Sequence, residues 1–113
     1  MAIKSIYAQL NCTDIDRSTE WFEILFARAP DANPMDGLVE WHHGESAGFQ
    51  LFANPDDAGH GTMTLIVSGL EKERERLVKA EHKPGEIEAG DIASTVQLSD
   101  PDGNTIVLAE PTT

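Results

Sequence analysis

Two stretches of this chain repeat one another at a constant offset of 55 residues: Tyr7 aligns with Thr62, Leu10 with Leu65, Ile15 with Leu70 and Phe22 with Leu77. A repeat of this kind means one supersecondary unit used twice, each copy too small to bury its apolar face alone. Both copies open on a strand. From Ile3 to Leu10, Ile6, Ala8 and Leu10 alternate with Ser5, Tyr7 and Gln9; from Gly61 to Val67, Met63, Leu65 and Val67 alternate with Thr62, Thr64 and Ile66. Period-two alternation predicts half-buried strands. A helix follows in each copy. The first starts at Asp14 with Thr13 as its cap and carries Ile15, Phe22, Leu25 and Phe26 on one face. The second opens on the capping box Ser68-Gly69-Leu70-Glu71 and runs to about Glu81. Ala29-Pro30 and Lys83-Pro84-Gly85 stop them.

The strands Leu38 to His43 and Phe49 to Ala53 complete the first copy, and Ile92 to Leu98 and Thr105 to Ala109 the second. Short extra strands fit near Ala32 to Asp36 and near Glu86 to Glu88. Asp100-Pro101-Asp102-Gly103-Asn104 is a type I turn with a mechanism, since Asp accepts backbone N–H groups, Pro pre-sets the second dihedral and Gly relieves the exit. The expected organisation is a single domain, 1–113, of two modules, about 1–54 and 61–113, joined by a Pro-, Asp- and Gly-rich linker over 54–61. Helices set within strand runs predict an α+β fold with the helices on one sheet face. The other, semi-polar face is left for a ligand.

Eight Lys and Arg against 20 Asp and Glu give a net charge of −12. Such a surface repels phosphate backbones and anionic lipid, which excludes nucleic acid and membranes as partners and leaves neutral or cationic ligands. The single cysteine, Cys12, excludes an intramolecular disulfide and reads as a structural thiol. The opening Met1-Ala2-Ile3-Lys4 lacks the pattern of a targeting segment, so the expected location is cytoplasmic.

Parity sorts the candidate site residues. Tyr7 and Gln9 fall on the polar side of the first strand, Gln50 and Phe52 share a side of theirs, and Thr62 and Thr64 share the polar side of the second leading strand. Together they offer phenol, amide and hydroxyl groups beside an aromatic ring, suited to a small organic molecule. Trp41 alternates with Val39 and His43 and serves either as core or as an aromatic wall. His42 and His43 point to opposite faces, so a metal group of His60, Glu40 and His42 requires an altered register. His82 is expected to favour the helix C-terminal dipole. No nucleophile–base motif or phosphate-cradling loop is present.

Three stretches carry a family resemblance: Thr13 to Phe22, Gly61 to Leu70, and Leu98 to Glu110 with its Asp-Pro-Asp-Gly-Asn turn. They resemble the vicinal oxygen chelate superfamily of glyoxalase I, extradiol dioxygenases and the fosfomycin- and bleomycin-resistance proteins. The resemblance implies two tandem βαβββ modules forming a curved mixed sheet with helices on its convex face. In the metal-dependent members, ligands come from the first and closing strands of each module, places matched here by Tyr7, Gln50, Thr62 and Val107. Val107 has no donor atom, Thr62 and Gln50 offer neutral oxygens, and Tyr7 would need to lose a proton of reference pKa about 10. No metal or other cofactor is therefore expected. The ligand-binding set becomes Tyr7, Gln9, Trp41, Gln50, Phe52, Thr62, Thr64 and Val107. The resemblance also implies a homodimer whose pockets use strands of both chains. The expected function is metal-free binding of a small organic molecule. The alternatives are a metal-dependent glyoxalase-like lyase, isomerase or dioxygenase, and a metal-free enzyme with Tyr7 or Glu40 as acid or base.

Overall fold

The alternating segments become strands, and their apolar sides meet two helices. The computed structural model describes residues 1–112. Its elements run β1 (Ile6–Cys12), α1 (Ile15–Phe26), β2 (Ala32–Met35), β3 (Leu38–His43), β4 (Ala47–Ala53), a 3-10 turn (Pro55–Asp57), β5 (Thr62–Ile66), α2 (Leu70–Lys79), β6 (Ala93–Ser99) and β7 (Thr105–Pro111). The fold is α+β. One open mixed sheet has the order β1-β4-β3-β2 and the other β5-β7-β6. In both, the leading strand lies parallel to the closing one and the remaining pairs are antiparallel. The second module is one strand short. The segment expected near Glu86 to Glu88 makes only an isolated bridge, Glu88 to Thr95.

The core of the first module is aromatic. Phe22 on α1 packs against Phe49 and Trp41, with ring centroids 4.9 and 6.3 Å away, and Phe26 lies 5.3 Å from Trp41. Burying a ring such as Phe22 contributes about 2–3 kcal/mol. Trp41 is only 2% exposed, and its indole N–H donates to the Arg28 carbonyl. It packs on the helix, because the aromatic side of α1 claims the Val39–Trp41 parity for the core, and it also lines a cleft where β1 approaches β5. The second module packs Leu70 and Leu77 of α2 with Val96, Leu98, Ile106 and Leu108, and both modules share one continuous apolar cluster.

Both helix starts differ in detail from the sequence expectation. α1 is capped by Asp14, whose carboxylate accepts from the N–H groups of Asp16 and Arg17. Thr13 instead donates its own N–H to Asp102. At α2 the Ser68 box does not form. Gly69 occupies the cap in a left-handed conformation, and the Glu110 carboxylate, arriving on β7, accepts from the N–H groups of Gly69 and Leu70 at 2.8 and 3.1 Å.

The Asp100–Asn104 turn ties the modules together. Asp100 accepts from the N–H groups of Asp102 and Asn104. Fully buried Asn104 accepts from Gly61 N–H and donates to the Asn11 carbonyl, joining β1 to the start of β5. Desolvation pushes the Asp100 carboxyl above its ordinary range, against the hydrogen bonds from Asn104 and Asp102. Across the helices, the Arg76 guanidinium of α2 donates to the carbonyls of Ile24 and Leu25 at the negative end of α1. His82, expected at a helix dipole, stacks on Trp21 with centroids 4.5 Å apart and bonds its carbonyl, a contact between modules.

Candidate functional site

The helix-free face of the first sheet is built in cross-strand rows. The register places Tyr7 beside Gly48 beside His42, then Gln9 beside Gln50 beside Glu40, then Asn11 beside Phe52 beside Leu38. Gly48 is required by the first row. A Cβ there would lie 2.5 Å from the Tyr7 ring, so the glycine lets the phenol lie across the strand towards His42. The two rings meet edge to face with centroids 6.0 Å apart. Tyr7 is 37% exposed, and Gln50 and Phe52 are half-buried.

A continuous line of hydrogen bonds crosses the middle row. Gln9 Nε2 donates to Gln50 Oε1 at 3.0 Å, and Gln50 Nε2 donates to Glu40 Oε2 at 2.7 Å. His42 Nε2 lies 3.0 Å from the other Glu40 oxygen. The bond from Gln50, then that from His42, holds the Glu40 carboxyl below its ordinary value despite partial desolvation. Glu40 is therefore an ionised acceptor at neutral pH and a weak base. Nearby, Asp31 accepts from His42 N–H and from Arg28, which also lowers its pKa, and the Arg28 guanidinium reaches the His42 carbonyl.

The second sheet presents the equivalent rows: Thr62 beside Thr105 beside Ser99, Thr64 beside Val107 beside Gln97, and Ile66 beside Ala109 beside Thr95. Thr62, Thr64 and Ile66 are exposed. Tyr7, Gln9, Gln50 and Phe52 thus share one face, while Thr62, Thr64 and Val107 share the face of the other sheet. The register sets which leading-strand positions oppose the closing strands. Gln50 is opposite Gln9 and Val107 opposite Thr64, whereas Tyr7 and Thr62 lie one row away. Glu40 and His42 were expected together only in a metal group with His60, and not as a pair bonded to one another. Its signal was the two-residue spacing on one strand, which puts both on the same face. His60 is exposed in the loop before β5, and among the described residues no group of three His, Cys, Asp or Glu is arranged to hold a metal ion.

A cleft of about 550 Å³ opens where the first half of β1 approaches the second half of β5, with Ile6, Ala8, Trp41, His42, Thr64 and Ile66 in its walls. Ile6 and Ile66 are 70% and 69% exposed. Cys12 is buried, and desolvation raises its thiol pKa from 9.0 to about 11, the bearing of a structural and not a reactive cysteine. No helix among the described residues is long and apolar enough to cross a membrane.

No family model and no curated relative matches the chain. Solved structures do. A glyoxalase / bleomycin resistance protein from Catenulispora acidiphila DSM 44928 is 23% identical with a TM-score of 0.85, over 95% of this chain and 97% of that one. TnmS3, an antibiotic binding protein from Streptomyces sp. CB03234, is 18% identical with a TM-score of 0.86, over 99% of both chains. A lactoylglutathione lyase from Agrobacterium tumefaciens is 15% identical with a TM-score of 0.78, over 93% of this chain and 91% of that one. At these identities the likeness is one of fold alone.

Proposed function

We propose that this chain is a metal-free small-molecule-binding protein of the glyoxalase/bleomycin-resistance type, acting as a cytoplasmic homodimer. The observation that carries the proposal is the middle row of the first sheet: Gln9, Gln50 and Glu40, joined by hydrogen bonds and flanked by Tyr7, His42 and Phe52. Satisfied polar groups between aromatic rings orient an organic ligand without needing a nucleophile or a metal.

The donor chemistry does not suit the metal that the fold family often uses. Gln9, Gln50, Thr64 and Val107 occupy the four opposed positions, and the neighbouring Tyr7 and Thr62 do not improve the set. None supplies an imidazole, thiolate or carboxylate. Glu40 and His42 are the metal-capable pair on this face, and they are spent on one another. No reaction step is therefore assigned to a metal. TnmS3 is an antibiotic binding protein, so the fold serves for binding in at least one neighbour.

The dimer accounts for two features. The site face is open to solvent, and a partner's sheet would cover it. Ile6 and Ile66 leave large apolar side chains bare beside one cleft, the kind of surface that marks an interaction site. Light scattering coupled to gel filtration tests it, with Ile66→Asp expected to shift the protein towards monomer.

Metal analysis of protein purified without chelator, followed by ligand screening, tests the main proposal. Metal well below stoichiometric and binding weakened by Tyr7→Phe and Gln50→Ala are expected. Stoichiometric nickel, zinc, iron or manganese would overturn it, as would variants that leave every affinity unchanged. The second reading, a metal-free enzyme, rests on the Glu40–His42 pair. Its mark would be metal-independent turnover abolished by Glu40→Gln.

A further inference from the structure

The hydrogen bonds across the first sheet run in one direction. An ionised carboxylate only accepts, so both groups touching Glu40 must be donors. This fixes Gln50 with its amide nitrogen towards Glu40 and its oxygen towards Gln9, as the 2.7 and 3.0 Å contacts require. It fixes neutral His42 as the tautomer with hydrogen on Nε2, leaving the Nδ1 lone pair free. Gln9 gives its N–H to Gln50 and leaves Oε1 as an acceptor at the far end of the line. In the next row, Asn11 Oδ1 is a buried acceptor with no partner among the described residues. The line centred on Glu40 therefore sends its donors inwards to one carboxylate and leaves acceptor lone pairs at its two ends, on His42 Nδ1 and Gln9 Oε1.

We infer that this face selects a planar ligand rich in N–H donors, cationic or neutral, of the aromatic amidine or amine class, which donates to His42 Nδ1 and Gln9 Oε1 and lies against the Tyr7 and Phe52 rings. The inference rests on the binding role proposed above and names the ligand chemistry. Two further facts agree. A cation over Tyr7 or Phe52 gains from the ring quadrupole. An anion would meet the negative charge of Glu40, within a protein of net charge −12. His42 is a specificity-determining group in this arrangement, and Glu40 positions it.

The test compares three probes of one shape: benzamidinium, benzamide and benzoate. Each is titrated into the full-length protein and followed by the amide resonances of Tyr7, Gln9 and His42 and by the His42 ring resonances. Benzamidinium is expected to bind most tightly, benzamide more weakly, and benzoate not to perturb these residues. Glu40→Gln and His42→Ala should each weaken benzamidinium about tenfold, the worth of one charge-assisted hydrogen bond. Circular dichroism checks that both variants fold, and His42→Gln serves as a second variant on the same ring position. Benzoate binding this face as tightly as benzamidinium would overturn the donor inference while leaving the face a binding site. Benzamidinium binding unchanged in the His42 variants would do the same. Probes that never touch the face would overturn the inference, and the binding role falls with it only if Tyr7→Phe and Gln50→Ala also leave all screened affinities unchanged.

Discussion

Two sheet faces of the same design stand in this molecule, and they carry opposite chemistry. The middle row of the first is Gln9, Gln50 and Glu40, an amide–amide–carboxylate line with every inner group bonded. The matching row of the second is Thr64, Val107 and Gln97. Strand order at the centre, parallel pairing of leading and closing strands, and offset in sequence are shared. The second sheet is one strand short and its core is aliphatic, but the chemical contrast lies in the outward side chains. The core-facing positions of both sheets stay apolar, because each must cover a helix. The outward positions are free to diverge, and the first sheet alone has gathered a charged, oriented network. Chemistry in this fold is thus decided by alternate residues of a few strands, while the intervening residues hold the frame.

The largest expected effect comes from removing what keeps the two faces in one frame. Asn104→Ala strips Gly61 N–H and the Asn11 carbonyl of their partners in a buried setting. A loss of about 2–4 kcal/mol in urea unfolding is expected, with faster amide exchange at both Leu10 and Met63. Exchange confined to one module would mean that the faces are held independently.

A smaller effect separates the two inner surfaces. Cys12 occupies the position that Val67 holds in the second module by the common offset. Burial pushes its pKa from the ordinary 9.0 to about 11. Below pH 9 its contribution is complete, and it fades as pH rises towards 11, by about 2–3 kcal/mol at 1.36 kcal/mol per unit. Cys12→Val should flatten the stability profile between these pH values, measured by chemical unfolding at each pH. An unchanged alkaline slope would show that the thiol is not the group responsible.

The smallest effect separates the outer faces themselves. The lowered pKa of Glu40 means stability that is present above its ordinary value of 4.5 and lost as pH falls through its folded value. Glu40→Gln should remove part of the acid-side loss, leaving the part due to Asp31, whose pKa is lowered as well. Asp100 works in the other direction, since its raised pKa favours the fold at low pH. Val107→Thr, the counterpart change at Gln50's equivalent position, should leave the acid limb as it is and shift stability by about 0.5 kcal/mol or less. Equal responses from the two faces would erase the contrast.

Much of this was legible in the sequence, and the limits have physical causes. Alternation from Ile6 to Leu10 gave the faces of β1, because polar and apolar residues disagree at every step; in β5 it holds from Thr62 to Leu65, and Ile66 breaks it on the outward side. Trp41 was ambiguous because Leu38 and Val39 are both apolar, so parity alone cannot choose a side; the aromatic residues of α1 choose it. The pairing of Gln9 with Gln50 depends on the register between strands 41 residues apart, which local pattern does not encode. The fourth strand of the second module failed because the segment around Glu88 contributes a single bridge, short of the run of paired residues a ladder needs. The Ser68 box met a local rule but lost to a carboxylate that no local rule could place.

That carboxylate gives the two helices different histories. Asp14 sits next to the helix it caps, so α1 can close its first turn as soon as that stretch of chain exists. α2 takes its cap from Glu110, 40 residues downstream of Leu70. On a growing chain, its N-terminus stays unfinished until β7 has been made and laid beside β5. The first turn of α2 is therefore completed only after β7 is in place. A chain cut short before Glu110 would carry a finished first helix and a second one frayed at its start.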